Sequence, residues 1–173
     1  MRKKPIDDIV QEEEDTQHGR YLTFYLGKDC FGIAIEFVTE IVGIQPITPV
    51  PGIPEYLKGI INLRGSIIPV MDVRIRFGKE PIAYEDRTCI IVSQVGDTDI
   101  GLIVDRVAEV VSIADEQISA PPEFNKSGSR FINGIARFGN EVKLLLDSDR
   151  IISDEEISAV LGDQDAGENS EVK

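Results

Sequence analysis

The chain contains one small unit twice, and this duplication limits its fold more than any other feature. Residues 21–42, moved forward by 69 positions, lie on 90–111 without a gap. Gly27 falls on Gly96, Phe31-Gly32-Ile33 on Ile100-Gly101-Leu102, and Ile35-Glu36 on Val104-Asp105. Val38, Glu40 and Ile41-Val42 then meet Val107, Glu109 and Val110-Val111. A second echo runs at an offset of 75, with Gly59-Ile60 on Gly134-Ile135 and Val70-Met71-Asp72 on Leu145-Leu146-Asp147. Neither copy carries an obvious reactive cluster, so the duplication points to a protein that binds other proteins.

The local signals are those of short strands. Leu22, Phe24 and Leu26 alternate with Thr23 and Tyr25, the period of two expected of a half-buried strand. Gly27-Lys28-Asp29 supplies turn chemistry, and Phe31-Gly32-Ile33-Ala34-Ile35 returns with large and small residues on opposite faces. Glycine weakens a strand unless something approaches closely, so the small face is expected to pack against another backbone. Residues 36–42 fit a helical turn or a strand equally. Pro46 to Pro54 is too proline-dense for a helix or a central strand, and Glu55-Tyr56-Leu57-Lys58 suits one helical turn.

Gly59–Phe77 reads as a hairpin turning at Arg64-Gly65, then a short helix capped by Asp72 and ended by Gly78. Pro69 cannot donate to a ladder and belongs at an edge or bulge. After a polar link at 79–87, Cys89–Val95 and Ile100–Val104 form the next hairpin, and Pro121–Arg130 is a loop. Ile132–Ile135 and Val142–Leu146 close the second unit, and Asp154-Glu155-Glu156 opens a helix through Leu161. Each copy thus offers about five short strands in roughly 60 residues, the size of a small barrel. The expectation is a mainly β protein of two five-stranded lobes, about 21–78 and about 88–152. Lobes that small need a shared apolar interface. Residues 1–20 read as an acidic leader, and 153–173 as the helix and an acidic tail.

Composition excludes several classes. Hydrophobic residues make up 42%, enough for a packed core. No apolar run reaches bilayer length, and Met1–Pro5 leads into acids rather than a signal-peptide core, so a cytoplasmic protein is expected. Net charge is −13, of which the two ends carry −8, leaving −5 on residues 21–152. Such a surface discourages nucleic acid and anionic membrane. Cys30 and Cys89 lack metal-ligand spacing and read as reduced packing residues. His18, the one histidine, lies in the leader, which excludes a Ser-His-Asp relay and a two-histidine metal site. Asp72, Asp105 and Asp147 sit near strand ends, but Asp72 and Asp147 are equivalent and suit a structural cap in each copy. Asp97-Thr98-Asp99 lacks the other ligands of a calcium loop. No metal, cofactor or catalytic residue is expected.

The stretch Lys58-Gly59-Ile60-Ile61-Asn62-Leu63-Arg64-Gly65-Ser66-Ile67-Ile68-Pro69-Val70-Met71-Asp72-Val73-Arg74 closely resembles the signature of the CheW family. Phe31-Gly32-Ile33, Val38-Thr39-Glu40-Ile41, Gly101-Leu102-Ile103-Val104-Asp105 and Pro121-Pro122-Glu123-Phe124 fit that family too. The resemblance covers roughly residues 20–160 and implies SH3-like barrels. It also implies a non-enzymatic chemotaxis adaptor, linking cytoplasmic tips of methyl-accepting chemoreceptors to the regulatory domain of a CheA-type histidine kinase. By position it implies a receptor-facing groove with Ile35, Val38, Glu40, Gly59 and Arg64. Kinase contact is implied at Pro49, Val50, Pro51, Gly52 and Ile53. Such an adaptor is recruited to the inner face of the membrane through receptor arrays. The alternative is an adaptor of another array, controlling surface motility or biofilm output.

Arg64 is the strongest single candidate, because a guanidinium at a hairpin apex can reach a carboxylate in two-point geometry. Val38 suits core as well as contact. Gly59 suits backbone geometry or the close approach of a receptor helix, in which case a large side chain there blocks binding without disturbing the fold.

Overall fold

Two antiparallel hairpins exchanged between the sequence copies organise the molecule. The computed structural model describes residues 18–121 and 129–162. Most of the expected leader, Pro122-Glu123-Phe124 and the tail after Gly162 lie outside the described residues. The first copy supplies β1 (Arg20–Leu26), β2 (Asp29–Ala34), β3 (Val38–Gly43), β4 (Leu57–Leu63), β5 (Ser66–Asp72) and a short helix α1 (Val73–Arg76). The second supplies β6 (Cys89–Val95), β7 (Thr98–Val104), β8 (Arg106–Ser112), β9 (Ile118–Ser119), β10 (Ile132–Phe138) and β11 (Glu141–Leu146). Helix α2 (Asp154–Leu161) closes the fold.

The strands form a six-stranded sheet, β8-β1-β2-β11-β10-β9, and a five-stranded sheet, β3-β6-β7-β5-β4. The protein is therefore mainly β with two sheets, as the duplication led one to expect. The sheets do not follow the contiguous lobes 21–78 and 88–152, however. Each takes its leading hairpin from one copy and its remaining long strands from the other. The cause is local. A three-residue 3-10 turn, Ile35–Phe37, separates β2 from β3, so the chain does not fold back on β2. Instead β3 pairs with β6 of the other copy. The single residue Asp105 between β7 and β8 has the same effect, and β8 pairs with β1.

Pairing repeats with the sequence. Parallel β2·β11 sets Gly32 against Leu145, and parallel β5·β7 sets Gly101 against Val70. Register shifts fall at Leu22/Phe24 in β1·β8 and Val38/Glu40 in β3·β6. They recur at Leu57/Gly59 in β4·β5 and the equivalent Ile132/Gly134 in β10·β11. Even the short β9 has a counterpart, since Ser119 pairs with Ile135 and Thr48 bridges to Ile60.

Alternation sorts the side chains into three cores. Leu22, Phe24, Leu26, Phe31 and Ile33 meet Met71, Ile91, Ile100, Leu102 and Val104 in one cluster shared by both sheets. Phe24, Phe31, Phe77 and Phe131 run through it, with ring centroids 5.2–5.7 Å apart. The opposite faces bury Ile61, Ile68, Val70, Ile90, Val92 and Ile103 in one sheet, and Ile113, Ala136 and Leu145 in the other. Strands buried on both faces explain why glycine recurs in β2 and β7. A Cβ at Gly32 would stand 3.1 Å from Leu145 Cδ2, and one at Gly101 2.8 Å from Ile90 Cγ2. The neighbour at each is a side chain, not the backbone expected.

Two further expectations change. Pro69 lies on an internal strand, yet the β5·β7 ladder begins only at Val70, so its missing donor interrupts nothing there. After Pro54 the chain makes one turn, with Leu57 N–H donating to Pro54 O, and enters β4 directly. Asp72 does cap α1, accepting from Ile75 N–H at 3.3 Å, with Gly78 at φ +79° beyond the helix. Ser153 and Glu156 form a reciprocal capping box on α2, which ends at Gly162 with φ +70°. Among the described residues, no helix is long and apolar enough to cross a membrane.

Candidate functional site

A two-residue connection joins Leu63 and Ser66, the paired ends of β4 and β5. Strand twist in so tight a hairpin calls for a mirror-image turn, with positive φ at the first central residue or at both, which favours glycine. Here Arg64 occupies the first position at φ +53° and Gly65 the second at φ +91°. Arg64 is the one non-glycine residue at positive φ among the described residues. The equivalent position of the second copy holds Gly139, at φ +59°. One copy thus meets the backbone demand with glycine, while the other keeps a long cationic side chain against it.

That side chain pairs with Glu40, both carboxylate oxygens accepting from Nη2. Glu40 is on β3 and Arg64 follows β4, the two outer strands of the five-stranded sheet. The pair therefore spans the gap between the sheet's ends. Arg64 remains 71% exposed and Glu40 27% exposed, so the guanidinium still faces solvent. Asn62 Oδ1 accepts from Gly65 N–H at 2.8 Å and tightens the turn.

The other residues implied for the receptor groove divide. Ile35 and Val38 are half-buried against the shared core, beside the chain's crossing between sheets. Gly59 is buried, at φ +137°, and a Cβ there would stand 2.0 Å from Thr48 O and 2.9 Å from Pro49 Cα. Its glycine is required by the chain's own backbone, which overturns the expectation that a larger residue leaves the fold intact. Thr48 and Ile60 exchange two backbone hydrogen bonds of 2.9 Å over it.

Gly59 thus seats the start of the loop implied for kinase contact. In that loop Pro49, Pro51 and Gly52 are exposed, while Val50 and Ile53 pack against the shared core. Sequence reasoning missed Ile41 and Ile67, which are 42% and 43% exposed on β3 and β5. Ile41 adjoins Glu40 in sequence, and its repeat equivalent Val110 is exposed as well, at 40%. Period two along β3 could have shown Ile41 on the outer face.

The carboxylates near strand ends, Asp72, Asp105 and Asp147, all have structural partners. Asp72 caps α1 and also accepts from Tyr84 OH at 2.8 Å. Burial, then this bond and the carboxylate's charge, push the Tyr84 phenol well above its ordinary range. Asp105 accepts from Arg74 at 2.7 Å and from Gly27 N–H at 2.6 Å, while Asp147 accepts from Asp149 N–H. Among the described residues, no group of three or more His, Cys, Asp or Glu side chains is placed to hold a metal. The Arg64 end of the five-stranded sheet presents an exposed guanidinium ion-paired to a half-buried carboxylate, with Ile41 and Ile67 exposed on β3 and β5.

Comparison with known proteins bears on the family and the fold. Residues 20–156 match the model of the CheW-like domain. The chain is 34% identical to chemotaxis protein CheW of Klebsiella aerogenes, over 84% of this chain and 89% of that protein. It is 33% identical to chemotaxis protein CheW of Treponema pallidum, over 79% and 83%. The crystal structure of scaffolding protein TtCheW from Thermoanaerobacter tengcongensis superposes with a TM-score of 0.74 at 33% identity, covering 80% of this chain and 94% of that one. A two-sheet fold built from a duplicated unit, the Asn-Leu-Arg-Gly hairpin and these matches together place the chain in the CheW-like domain family.

Proposed function

We propose that this protein is a non-enzymatic chemotaxis adaptor that couples chemoreceptor tips to a CheA-type histidine kinase. The observation that carries the reading is Arg64. It is held in a backbone conformation suited to glycine, and the homologous turn of the second copy uses glycine. A side chain kept against such a cost points to a role outside folding. The receptor contact is assigned to Glu40 and Arg64, with Ile35 and Val38 as the apolar floor and Ile41 and Ile67 at the margin. Helix-in-groove recognition fits this mixture, with apolar anchors seated beside a charged rim. Gly59 acts there only through the loop it seats. The kinase contact is assigned to Pro49–Ile53, whose exposed prolines restrict the unbound loop and reduce the entropy lost on binding. Relatives named for chemotaxis favour this array over one for surface motility.

The test is a three-way pulldown with a receptor cytoplasmic fragment and the kinase from the same organism, comparing wild type with Arg64→Gly. Bridging by wild type and loss of receptor capture by the folded variant support the reading. Capture of neither partner by wild type defeats it.

A further inference from the structure

We propose that Cys30 and Lys143 form an oxidative modification site at which a peroxide joins Sγ of one to Nζ of the other. Cys30 lies on β2 and Lys143 on β11, and the parallel register pairs these two residues directly. Nζ stands 3.5 Å from Sγ, and both residues are about nine-tenths buried. A buried ammonium ordinarily sits against a carboxylate. Here the nearest carboxylate, Glu141, is 3.6 Å away and largely exposed, and the Phe138 ring lies 5.4 Å from Nζ. The sulfur is thus the inward partner of the lysine. Burial works against the charge of Lys143, but the Cys30 sulfur, then Glu141 and Tyr25, offset it and hold its pKa above the ordinary value.

Access comes from one side. Cys30 lines a surface pocket of about 330 Å³ together with Tyr25, Asp29, Glu141 and Val142. The pocket has room for a molecule the size of hydrogen peroxide beside Cys30. In the first step the Cys30 sulfur attacks one peroxide oxygen and the O–O bond breaks. Sulfur is oxidised to the sulfenic acid, and peroxide is reduced to one water. The thiol proton passes to solvent as the sulfur attacks, and the Lys143 ammonium gives one proton to the departing oxygen, leaving Nζ neutral. In the second step the neutral Nζ attacks the sulfenic sulfur and passes one proton to the departing oxygen. The S–N bond forms, the S–O bond breaks and a second water leaves, with no further oxidant consumed. Sulfenic acids condense with nearby nitrogen in this way when one is held in place. The product ties residues 113 positions apart, one from each sequence copy.

The test treats the full chain with hydrogen peroxide and maps its peptides by mass, using wild type, Cys30→Ser and Lys143→Met. Cys89, half-exposed, serves as the internal comparison. The expected result is a linked pair of peptides containing Cys30 and Lys143, lighter by two hydrogens than their sum. It is absent from both variants and is released by excess thiol. The linked protein also has a higher urea midpoint than untreated protein, because the link shortens the unfolded chain. Oxidation of Cys30 to sulfinic or sulfonic acid without a link overturns the proposal. So does an unreacted Cys30 alongside an oxidised Cys89.

Discussion

Arg76 and Glu156 meet as a two-point ion pair, Nη1 to Oε2 and Nη2 to Oε1 at 3.1 Å each, and this pair fastens α2 to α1, the short helix that follows β5. The guanidinium lies 4.1 Å from the Tyr56 ring centroid and 4.6 Å from that of Phe131, and donates from Nε to Ile151 O at 3.0 Å. Tyr56 OH donates to the same carboxylate. With its side chain only 8% exposed, Arg76 has little water to fall back on if its partner is lost. Removing either member of so enclosed a pair is expected to cost about 3 kcal/mol. Urea denaturation of Arg76→Ala and Glu156→Ala checks this, and unchanged midpoints would refute it.

The same carboxylate sets a pH dependence. Burial opposes the charge of Glu156, but hydrogen bonds from Tyr56 and Ser153 and the Arg76 charge outweigh it and hold its pKa below the ordinary 4.5. Its contribution to stability is therefore complete above about pH 5 and is lost as pH falls through the lowered folded-state value. The stability difference between wild type and Glu156→Gln is expected to be constant from about pH 5 to 7 and to shrink in more acid solution. Thermal melts across that range measure it. A difference that grows on acidification contradicts the assignment.

Arg64→Gly separates folding from recognition. Glycine relieves the positive φ, and only an exposed ion pair is lost in exchange. The melting temperature is expected to stay level or rise while receptor binding weakens about tenfold or more, a loss typical of an interface arginine at a hot spot. A variant that melts early shows instead that Arg64 serves the fold.

Gly59→Ala is expected to do the reverse. The added methyl meets Thr48 O and the Pro49 backbone, neither of which is a flexible side-chain end, and φ +137° excludes it independently. A loss of about 3 kcal/mol or more is expected, by the mechanism of strain at a special φ. A melt matching wild type would show that the Thr48–Pro49 segment moves aside freely.

Strand exchange predicts how fragments behave. Chains cut within the 79–87 link leave each sheet with strands from both pieces. Neither fragment alone is expected to give a cooperative melt, whereas mixing the two restores one. Independent folding of either half, followed by calorimetry, would contradict the exchanged pairing.

The period-two strands, the hairpin turns at Gly27, Gly65, Gly96 and Gly139, the Asp72 cap with Gly78 ending its helix and the two-copy plan were all legible in the residues. Each is decided by neighbours within a few positions, through side-chain alternation, turn conformation or a cap hydrogen bond. Arg64 was legible as a hairpin apex, but not as a residue held at positive φ opposite Gly139. What closes over Gly59 was not legible either, because Thr48 reaches it through a loop whose proline pattern gives no direction. Nor was the partner of each strand. The gapless repeat at 21–42 and 90–111 has the same pattern whether β3 returns to its own copy or crosses to β6, since both arrangements bury the same alternating face. Tertiary structure decided that choice, because the three-residue turn at Ile35–Phe37 carries β3 beside β6 and only the assembled sheets bury both faces of β2 and β7.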